Sequence, residues 1–471
     1  MSVLKRLSNS TLALLLCFAL GGVAGAFAPP VGGFAFFIGQ LYLALVNMAA
    51  VPLLVVAMFF GLRQLILLPH PGLRIGTMLA LALALVFASA IGGTLAGVLG
   101  APGLHLSDAA HQQLGQLVLR SASDAEDLRM KLFGADSPAA AAALALNDVV
   151  PDNFYRVLAG GQALGILTGT ILFGMAFAAL SGEQTRVLHS VFESIYRSLE
   201  ILIEYANLLL PVLAFGTAAH LAAQTEHATL DAMSGFLISF LGGTAALCAV
   251  SFVVIAVRSH APLSRVSAAL KAPLLVGLMS GSATAPIPHT IEAMSTRLGF
   301  SRGVAELVVP FGSVFVRAGS SLYFALATVF IANLYDRPLS AGEFALTCAA
   351  ATVAAFVSAG RRGAASIGYV GMVLSMLQLP VEAAGVLLIA VDLICEGPRN
   401  LLSLLSVCTV VALVSAGLPA ERAPVLELGA RAEAGAVLRL AFTRGQLVLA
   451  TGCVVIAASL IVLMGVGVGA K

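Results

Sequence analysis

The chain has 471 residues, of which 59% are hydrophobic and only 10% are charged, and its formal net charge is +2. Soluble domains carry about 25% charged residues, and a soluble core of this length could not hide so much apolar surface. The composition therefore predicts a protein embedded in lipid, and no basic run interleaved with aromatic residues indicates nucleic acid as a partner.

Six uninterrupted apolar stretches make up most of the first half of the chain. Each is long enough to span a bilayer, which takes about 17–25 residues. They fall at about 11–28, 34–62, 76–100, 155–180, 193–222 and 232–257. Lys5 and Arg6 before the first stretch resemble the start of a signal peptide, but the further spans favour an uncleaved membrane helix. The polar segment 102–150 is predicted to be an outward-facing loop.

The pattern changes in the second half. The apolar segments 268–295 and 341–379 are interrupted by Ser, Gly, Pro or Arg, and full-length runs follow them at 302–333 and 383–417. Interrupted segments in matching positions of two halves are typical of a transporter's binding site, because non-helical backbone at membrane depth needs protein or water to satisfy its polar groups. A final run, 446–469, is long enough to span.

The distribution of basic residues predicts a topology, and the Gly/Ala/Leu-rich composition suits a bacterial inner membrane. The loops 224–231 and 378–382 lack Lys and Arg, as expected of the outer face. The basic residues assigned to the cytoplasmic side are Lys5, Arg6, Arg63, Arg74, Arg186, Arg197, Arg258, Arg265, Lys271, Arg297 and Arg302.

Scattered cysteines and missing motifs bear on other classes of function. No pair of cysteines has CxxC spacing, so neither a disulfide framework nor a metal site is expected, and no cofactor is predicted. The cysteines are Cys17, Cys248, Cys348, Cys395, Cys408 and Cys453. The absence of HExxH, GxSxG and paired-carboxylate motifs argues against an enzyme.

Five motifs follow one another in a distinctive order. They are Asn47-Met48-Ala49-Ala50-Val51-Pro52, Val150-Pro151-Asp152-Asn153 with Phe173-Gly174, Ser280-Gly281-Ser282-Ala283-Thr284-Ala285-Pro286, Gly360-Arg361-Arg362-Gly363 with Gly368, and Asp392 with Arg399. Over about residues 10–417, their order and spacing resemble the dicarboxylate/amino acid:cation symporter family, which includes sodium:dicarboxylate symporters and glutamate transporters.

The resemblance implies an all-α membrane fold with eight transmembrane helices, two re-entrant helical hairpins and, in this chain, an extra C-terminal transmembrane helix. It implies a homotrimer in lipid, in which a mobile domain carries the substrate as an elevator past a rigid scaffold. The implied parts are scaffold at 1–75 and 151–228, transport domain at 76–101 and 229–418, an extracytoplasmic loop at 102–150, and a cytoplasmic linker plus extra helix at 419–471.

The resemblance also implies a set of site residues. The substrate-binding candidates are Arg399, Glu396, Asn400, Ser403, Ser320, Gly319, Ser282, Gly281, Ala364 and Gly368. The gate candidates at the second hairpin tip are Gly360, Arg361, Arg362 and Gly363. The two arginines at this tip either meet an anionic substrate or simply face water.

Arg399 is the central candidate. An arginine within an apolar helix is costly unless it faces a polar cavity or a partner, and its planar fork suits a carboxylate. The alternative is a structural pair with Asp392 or Glu396. Glu396 lies on the same helix face and could hold an ammonium group, carry a proton, or pair with Arg317 or Arg399. Asp392 is expected to be structural.

Departures from the family concern its sodium sites. Three positions that resemble sodium ligands hold Val316, Ala318 and Val407, whose aliphatic side chains offer no oxygen to a hard cation. Arg317, beside them, is a candidate built-in cation. The alternative is that it pairs with Glu396 and locks the carrier.

Polar residues of the first hairpin are minor candidates. His289 is a candidate proton relay or, more simply, a satisfied hairpin histidine. Glu292 and Glu306 need no special role.

The function predicted from these residues is a secondary active transporter for a small anionic solute, either a C4-dicarboxylate or an acidic amino acid. Coupling is expected through protons or exchange rather than through sodium. A uniporter or an anion channel on the same scaffold is the alternative.

Overall fold

The computed structural model describes most of the chain. The described residues are 11–27, 29–66, 71–104, 112, 114–115, 153–160, 163–178, 182–224, 233–280, 284–359 and 364–416. All of them belong to the first of two units into which the chain divides, Met1–Arg422, and the second unit is Ala423–Lys471. Most of the predicted loop 102–150 and all of the predicted run 446–469 lie outside the described residues.

Helices make up all the regular structure in this part of the chain, which confirms the predicted all-α class there. The first seven are α1 (Thr11–Phe27), α2 (Pro29–Ile66), α3 (Pro71–Gly100), α4 (Phe154–Gly160), α5 (Ala163–Ala178), α6 (Gly182–Ala206) and α7 (Leu210–Gln224). The next eight are α8 (Ser234–Ser259), α9 (Leu263–Ser280), α10 (Ile287–Glu292), α11 (Arg302–Phe315), α12 (Ala318–Leu334), α13 (Ala341–Val357), α14 (Ala364–Met376) and α15 (Val381–Val414).

One predicted span is divided into two helices. The stretch predicted at 193–222 contains α6 and α7 joined by a 3₁₀ turn at Asn207–Leu209. Pro211 explains this turn. Its ring lacks an N–H and, in a continuous α-helix, would clash with the carbonyl four residues earlier. In the stretch predicted at 155–180, residues 161–162 between α4 and α5 lie outside the described residues.

Six helical segments among the described residues are long and apolar enough to cross a membrane. They are Gly33–Phe60, Gly72–Gly100, Ser234–Ser259, Leu263–Ser280, Arg302–Leu334 and Val391–Val414. In the most apolar part of Arg302–Leu334, 89% of the residues are buried within the protein, against 28% in α3 and α8. Therefore α11 and α12 form the centre of this unit, whereas α3 and α8 present an apolar surface suited to lipid.

The helices pack in two groups. In the first, α1 and α2 pack on α7, and α5 and α6 also pack on α2. In the second, α3 packs mainly on α12 and also on α8 and α13, while α15 packs on α8, α11, α12 and α14. The contact between the groups runs mainly through α2 and α11.

Glycines bring α1 and α7 into backbone contact. A Cβ atom added at Gly21 would lie 2.2 Å from the carbonyl oxygen of Phe215, and one added at Gly25 would lie 2.1 Å from that of Ala219. Small residues four positions apart permit this approach, as in other tightly packed membrane helices.

The segment predicted at 341–379 forms two helices, α13 and α14, that pack against each other. Ser340 and Glu343 form a capping box at the start of α13. The Arg337 guanidinium donates to Glu343 Oε1 at 2.8 Å and to the Leu377 carbonyl at 2.6 Å. Arg337 therefore joins the start of α13 to the end of α14.

Candidate functional site

The helical run predicted at 302–333 is broken near its middle. Val316 (φ −83°, ψ 72°) and Arg317 (φ −91°, ψ 52°) leave the helical conformation between α11 and α12. The N–H of Arg317 donates to the carbonyl of Phe315 at 2.9 Å, which closes a tight turn. A break in a buried helix exposes two helix ends at one point, and such breaks are typical of binding sites in transporters.

The start of α12 lies directly on α15. A Cβ atom added at Gly319 would lie 2.0 Å from the carbonyl oxygen of Arg399, so only glycine permits this approach. The Gly319 N–H donates to Ser403 Oγ at 3.1 Å, and Ser403 Oγ donates to the Arg399 carbonyl at 2.9 Å. Ser320 follows on the buried first turn of α12. The structure therefore brings together four predicted site residues from two distant segments.

Arg399 is buried and has two identified neighbours. Its Nη2 atom donates to Asp392 Oδ1 at 2.5 Å, and the Arg399 and Asp392 side chains are 5% and 9% exposed. Its guanidinium carbon lies 4.5 Å from the ring centroid of Tyr323. The predicted pair with Asp392 is therefore present, and the ring supplies a further favourable contact for the positive charge.

A small cavity lies beside Ser403, between α9, α10, α11 and α15. It measures about 20 Å³, and Ser313, Asn400, Ser403 and Val407 are among the residues that line it. The buried Nδ2 atom of Asn400 has no hydrogen-bond partner in the described part of the chain. Such a volume has room for about one water-sized group, and Asn400 adds an N–H donor to the wall.

Aliphatic packing occupies the three positions that resemble sodium ligands. Val316, Ala318 and Val407 are all at most 1% exposed. A Cβ atom added at Gly312 would lie 2.8 Å from the side chain of Val407, so Val407 fills the space against α11. These three side chains provide no oxygen ligand for a hard cation.

The other predicted residues fall into three sets. Arg317 lies at the helix break, and Glu396 is half-buried on α15, three residues before Arg399. Ala364 begins α14 and Gly368 is buried within it, and α14 packs against α12 and α15. The tip residues Gly281, Ser282, Gly360, Arg361, Arg362 and Gly363 lie outside the described residues.

The minor candidates of the first hairpin lie in and after α10. Glu292 pairs with Arg297 at 2.9 Å, and Glu306 pairs with Arg302 at 2.7 Å. His289 is half-buried in α10. Both glutamates thus have ion-pair partners within the described part of the chain.

Tyr323 was missed by sequence reasoning. It is fully buried in α12 and also packs edge-on against Phe236 and Phe240 of α8, with ring centroids 5.8 and 5.6 Å away. A tyrosine one turn beyond Ser320 on the same helix face was the available signal. Nothing in the sequence pointed to Arg399, 76 residues further on, as its neighbour.

Comparison with known proteins gives an independent measure of similarity. The family model described as the sodium:dicarboxylate symporter family matches residues 11–416.

Individual relatives are similar at moderate identity. A C4-dicarboxylate transport protein from Cupriavidus necator is 28% identical over 275 residues, which are 56% of this chain and 61% of that protein. A C4-dicarboxylate transport protein from Stenotrophomonas maltophilia is 25% identical over 405 residues, covering 84% of this chain and 86% of that protein. A proton/sodium-glutamate symport protein from Bacillus subtilis is 24% identical over 381 residues, covering 78% and 82%. The chain thus spans about six tenths of the length of the first of these relatives.

Proposed function

The chain belongs to the sodium:dicarboxylate symporter family, and from that premise we propose that it is a secondary active transporter of a small anionic solute. The substrate is a C4-dicarboxylate or an acidic amino acid, in keeping with the names of its relatives. The protein carries this solute across a bacterial inner membrane, and it is a transport protein rather than an enzyme.

The observation that carries this proposal is the position of Arg399. It lies on α15 against the broken segment between α11 and α12, where a site can open to polar groups of both helices. A guanidinium has five N–H donors in a planar fork, and Asp392 accepts a hydrogen bond from Nη2. Asp392 and Tyr323 orient the fork, and a substrate carboxylate is its natural bidentate ligand.

The remaining polar groups complete the proposed site. Ser403, Ser320 and Asn400 supply neutral hydrogen-bonding groups beside Arg399, and Gly319 keeps the backbone close. Glu396 takes an ammonium group of an amino acid or carries the coupled proton. From the hairpins, Gly281, Ser282, Ala364 and Gly368 line the substrate, and the tip of the second hairpin, Gly360–Gly363 with its two arginines, gates it.

Coupling follows from the aliphatic residues at the sodium-ligand positions. Val316, Ala318 and Val407 are buried and offer no oxygen ligand, so these side chains cannot hold a sodium ion. The positive charge that bound sodium would bring is therefore missing. Arg317 supplies a fixed positive charge at the helix break instead. Transport is then driven by protons or by exchange of one anion for another.

The proposed movement is an elevator within a homotrimer. The scaffold comprises α1, α2 and α4–α7, and the mobile domain comprises α3 and α8–α15. Packing supports this division, because α3 contacts α12, α13 and α8 more extensively than it contacts the first group. In this arrangement α9–α10 and α13–α14 are re-entrant hairpins. The second candidate, a uniporter or anion channel, is favoured by the same loss of sodium-ligand side chains.

The test is uptake of radiolabelled succinate and aspartate by proteoliposomes, with the sodium gradient, the proton gradient and the internal anion varied independently. Saturable uptake that ignores sodium and accelerates with a proton gradient or trapped internal anion is the expected result. Steep sodium dependence would overturn the coupling proposal. Uptake that neither saturates nor accelerates with trapped substrate would indicate a channel.

Arg317→Gln separates the two roles of Arg317 in the same assay. If Arg317 balances the anionic substrate, its loss should lower substrate affinity by roughly thirtyfold or more. The reason is that the bound substrate's negative charge then lacks its partner, which costs at least about 2 kcal/mol. If Arg317 locks the carrier through Glu396, the variant transports faster. Arg197→Gln is the matched control, since Arg197 is exposed and pairs with Glu193 on one helix face.

A further inference from the structure

The connection between α8 and α9 is a sharp corner with exposed basic side chains. The helix α8 ends at Ser259, and His260 adopts a left-handed conformation (φ 50°, ψ 34°) that turns the chain toward Leu263. Arg258 just before the turn and Arg265 just after it are both exposed, as is His260. These three residues are here termed the basic corner.

Among the described residues, no carboxylate pairs with the arginines of the basic corner. Residues 232–291 contain no Asp or Glu, whereas they contain the two arginines and Lys271. Arg258 and Arg265 form no ion pair with any residue that the structure describes. Five other arginines in the same part of the chain pair with carboxylates at 2.9 Å or less, namely Arg197, Arg297, Arg302, Arg337 and Arg399.

Exposed aliphatic side chains adjoin these charges. Val257 is 65% exposed and Leu263 is 52% exposed, one on each side of the turn. Along α8, Val250 and Val253 are also exposed. Large aliphatic side chains that end at unpaired arginines are the arrangement expected where a helix leaves the hydrocarbon and enters the headgroup layer.

We propose that the basic corner binds the headgroup of an anionic phospholipid. A guanidinium binds phosphate oxygens through parallel N–H donors, so Arg258 and Arg265 together can hold one phosphate or two neighbouring ones. The lipid is preferred over free phosphate because Val257 and Leu263 lie where acyl chains would pack. The proposal goes beyond transport, since it holds whatever solute is carried.

The sequence allows a direct test because the chain contains no tryptophan. Leu263→Trp places a single tryptophan at the corner, and the purified full-length protein is reconstituted into phosphatidylcholine vesicles with added phosphatidylglycerol. In one sample the phosphatidylglycerol carries brominated acyl chains, and in the other the phosphatidylcholine does. Quenching of the tryptophan fluorescence is compared between the two samples at equal content of brominated lipid. Quenching by brominated phosphatidylglycerol is expected to exceed that by brominated phosphatidylcholine, with local enrichment of about fivefold for each arginine.

Matched variants show whether the arginines cause the enrichment. Arg258→Gln/Arg265→Gln in the Leu263→Trp protein should abolish the preference, and replacement of both by Lys should retain most of it. Arg197→Gln/Arg297→Gln removes the same charge from paired arginines and should change nothing. A tryptophan at Ile238, which is exposed about 30 Å away along α8, should show no preference.

Equal quenching by the two lipids at Leu263→Trp would overturn the proposal. A preference that survives Arg258→Gln/Arg265→Gln would also overturn it, since the source of attraction would then lie elsewhere. Free inorganic phosphate that removes the preference at millimolar concentration would show an ion site rather than a lipid site. The binding measurement needs no transport activity, so its failure leaves the proposed function untouched.

Discussion

At the residue scale, the central feature of the site is the buried ion pair between Asp392 and Arg399. Both side chains are nearly enclosed, and Tyr323 lies over the guanidinium. Removal of one partner from a buried pair is far more costly than the pair is worth, because the remaining charge stays buried without compensation. Asp392 therefore has a stability role that can be separated from the proposed substrate contact of Arg399.

We expect Asp392→Asn to lower the free energy of unfolding by about 3–5 kcal/mol. The measurement is thermal unfolding of the purified protein in detergent. Glu193→Gln is the control, because it breaks an exposed pair with Arg197 and such pairs contribute little. Equal stability of Asp392→Asn and the wild type would mean that Arg399 is compensated by another group.

Gly319 tests whether the contact between α12 and α15 is required for transport. A Cβ atom at this position meets the Arg399 carbonyl, which belongs to the backbone and cannot move aside alone. Overpacking costs about 1–3 kcal/mol. If this cost raises the free energy of the substrate-bound conformation alone, Gly319→Ala should weaken substrate affinity by roughly five- to 140-fold.

The control for this change is Gly242→Ala on α8, since no heavy atom lies within 4 Å of a Cβ atom added there. Proteoliposome uptake should be unchanged in this variant. Unaltered kinetics in Gly319→Ala would show that α12 can withdraw from α15 without harm to the site.

At the element scale, the approach of α1 to α7 depends on Gly21, which faces α7, and not on its neighbour Gly22. Gly21 meets the backbone of Phe215, whereas a Cβ atom added at Gly22 has no heavy atom within 4 Å. The two positions differ by about 100° around the helix, so one faces α7 and the other faces away.

We expect Gly21→Val to separate α1 from α7 and to destabilise the protein by about 1–3 kcal/mol or more. Gly22→Val, which adds the same side chain one residue later, should have little effect. Thermal unfolding in detergent, combined with size-exclusion chromatography, measures both changes. Similar losses in the two variants would contradict the close approach and indicate a general intolerance of valine in α1.

At the scale of the whole molecule, the burial pattern predicts how the protein partitions. The exposed faces of α3 and α8 are apolar over a membrane-spanning length, while α11 and α12 are enclosed. Such surfaces are stable only in lipid or detergent. After an alkaline carbonate wash of bacterial membranes, the protein should remain in the pellet, and a non-ionic detergent should release it. Release by carbonate alone would contradict a multi-pass arrangement.

Much of the architecture could be predicted from the sequence because hydrophobicity and helix breaks are local properties. The apolar runs at 76–100 and 232–257 correspond to α3 and α8 within a few residues. Polar or proline-rich interruptions predicted the division of 268–295 and 341–379 into shorter helices. The turn before Pro211 was missed although its cause is local, because the surrounding stretch is apolar throughout.

The candidate site could be predicted only in part. Gly319 on α12 and Ser403 on α15 were both named as substrate-binding candidates, and the two are in hydrogen-bond contact. Their role toward a substrate stays a prediction. The contact of Tyr323 with Arg399 depends on how the two helices rotate and cross. The proposed roles of the hairpin tips remain predictions, since those residues lie outside the described part of the chain.

The sequence by itself determined that this protein is an all-helical chain that requires lipid, because hydrophobicity and composition are local properties. Its resemblance to the family, rather than its composition, indicated that aliphatic residues occupy the three positions that resemble sodium ligands. Tertiary structure alone decided that Asp392 pairs with Arg399, that Val407 packs on Gly312, and that the charges of the basic corner have no protein partner in the described chain. The physical reason is that pairing and packing depend on distances between separate helices, which close packing sets and which no local pattern encodes.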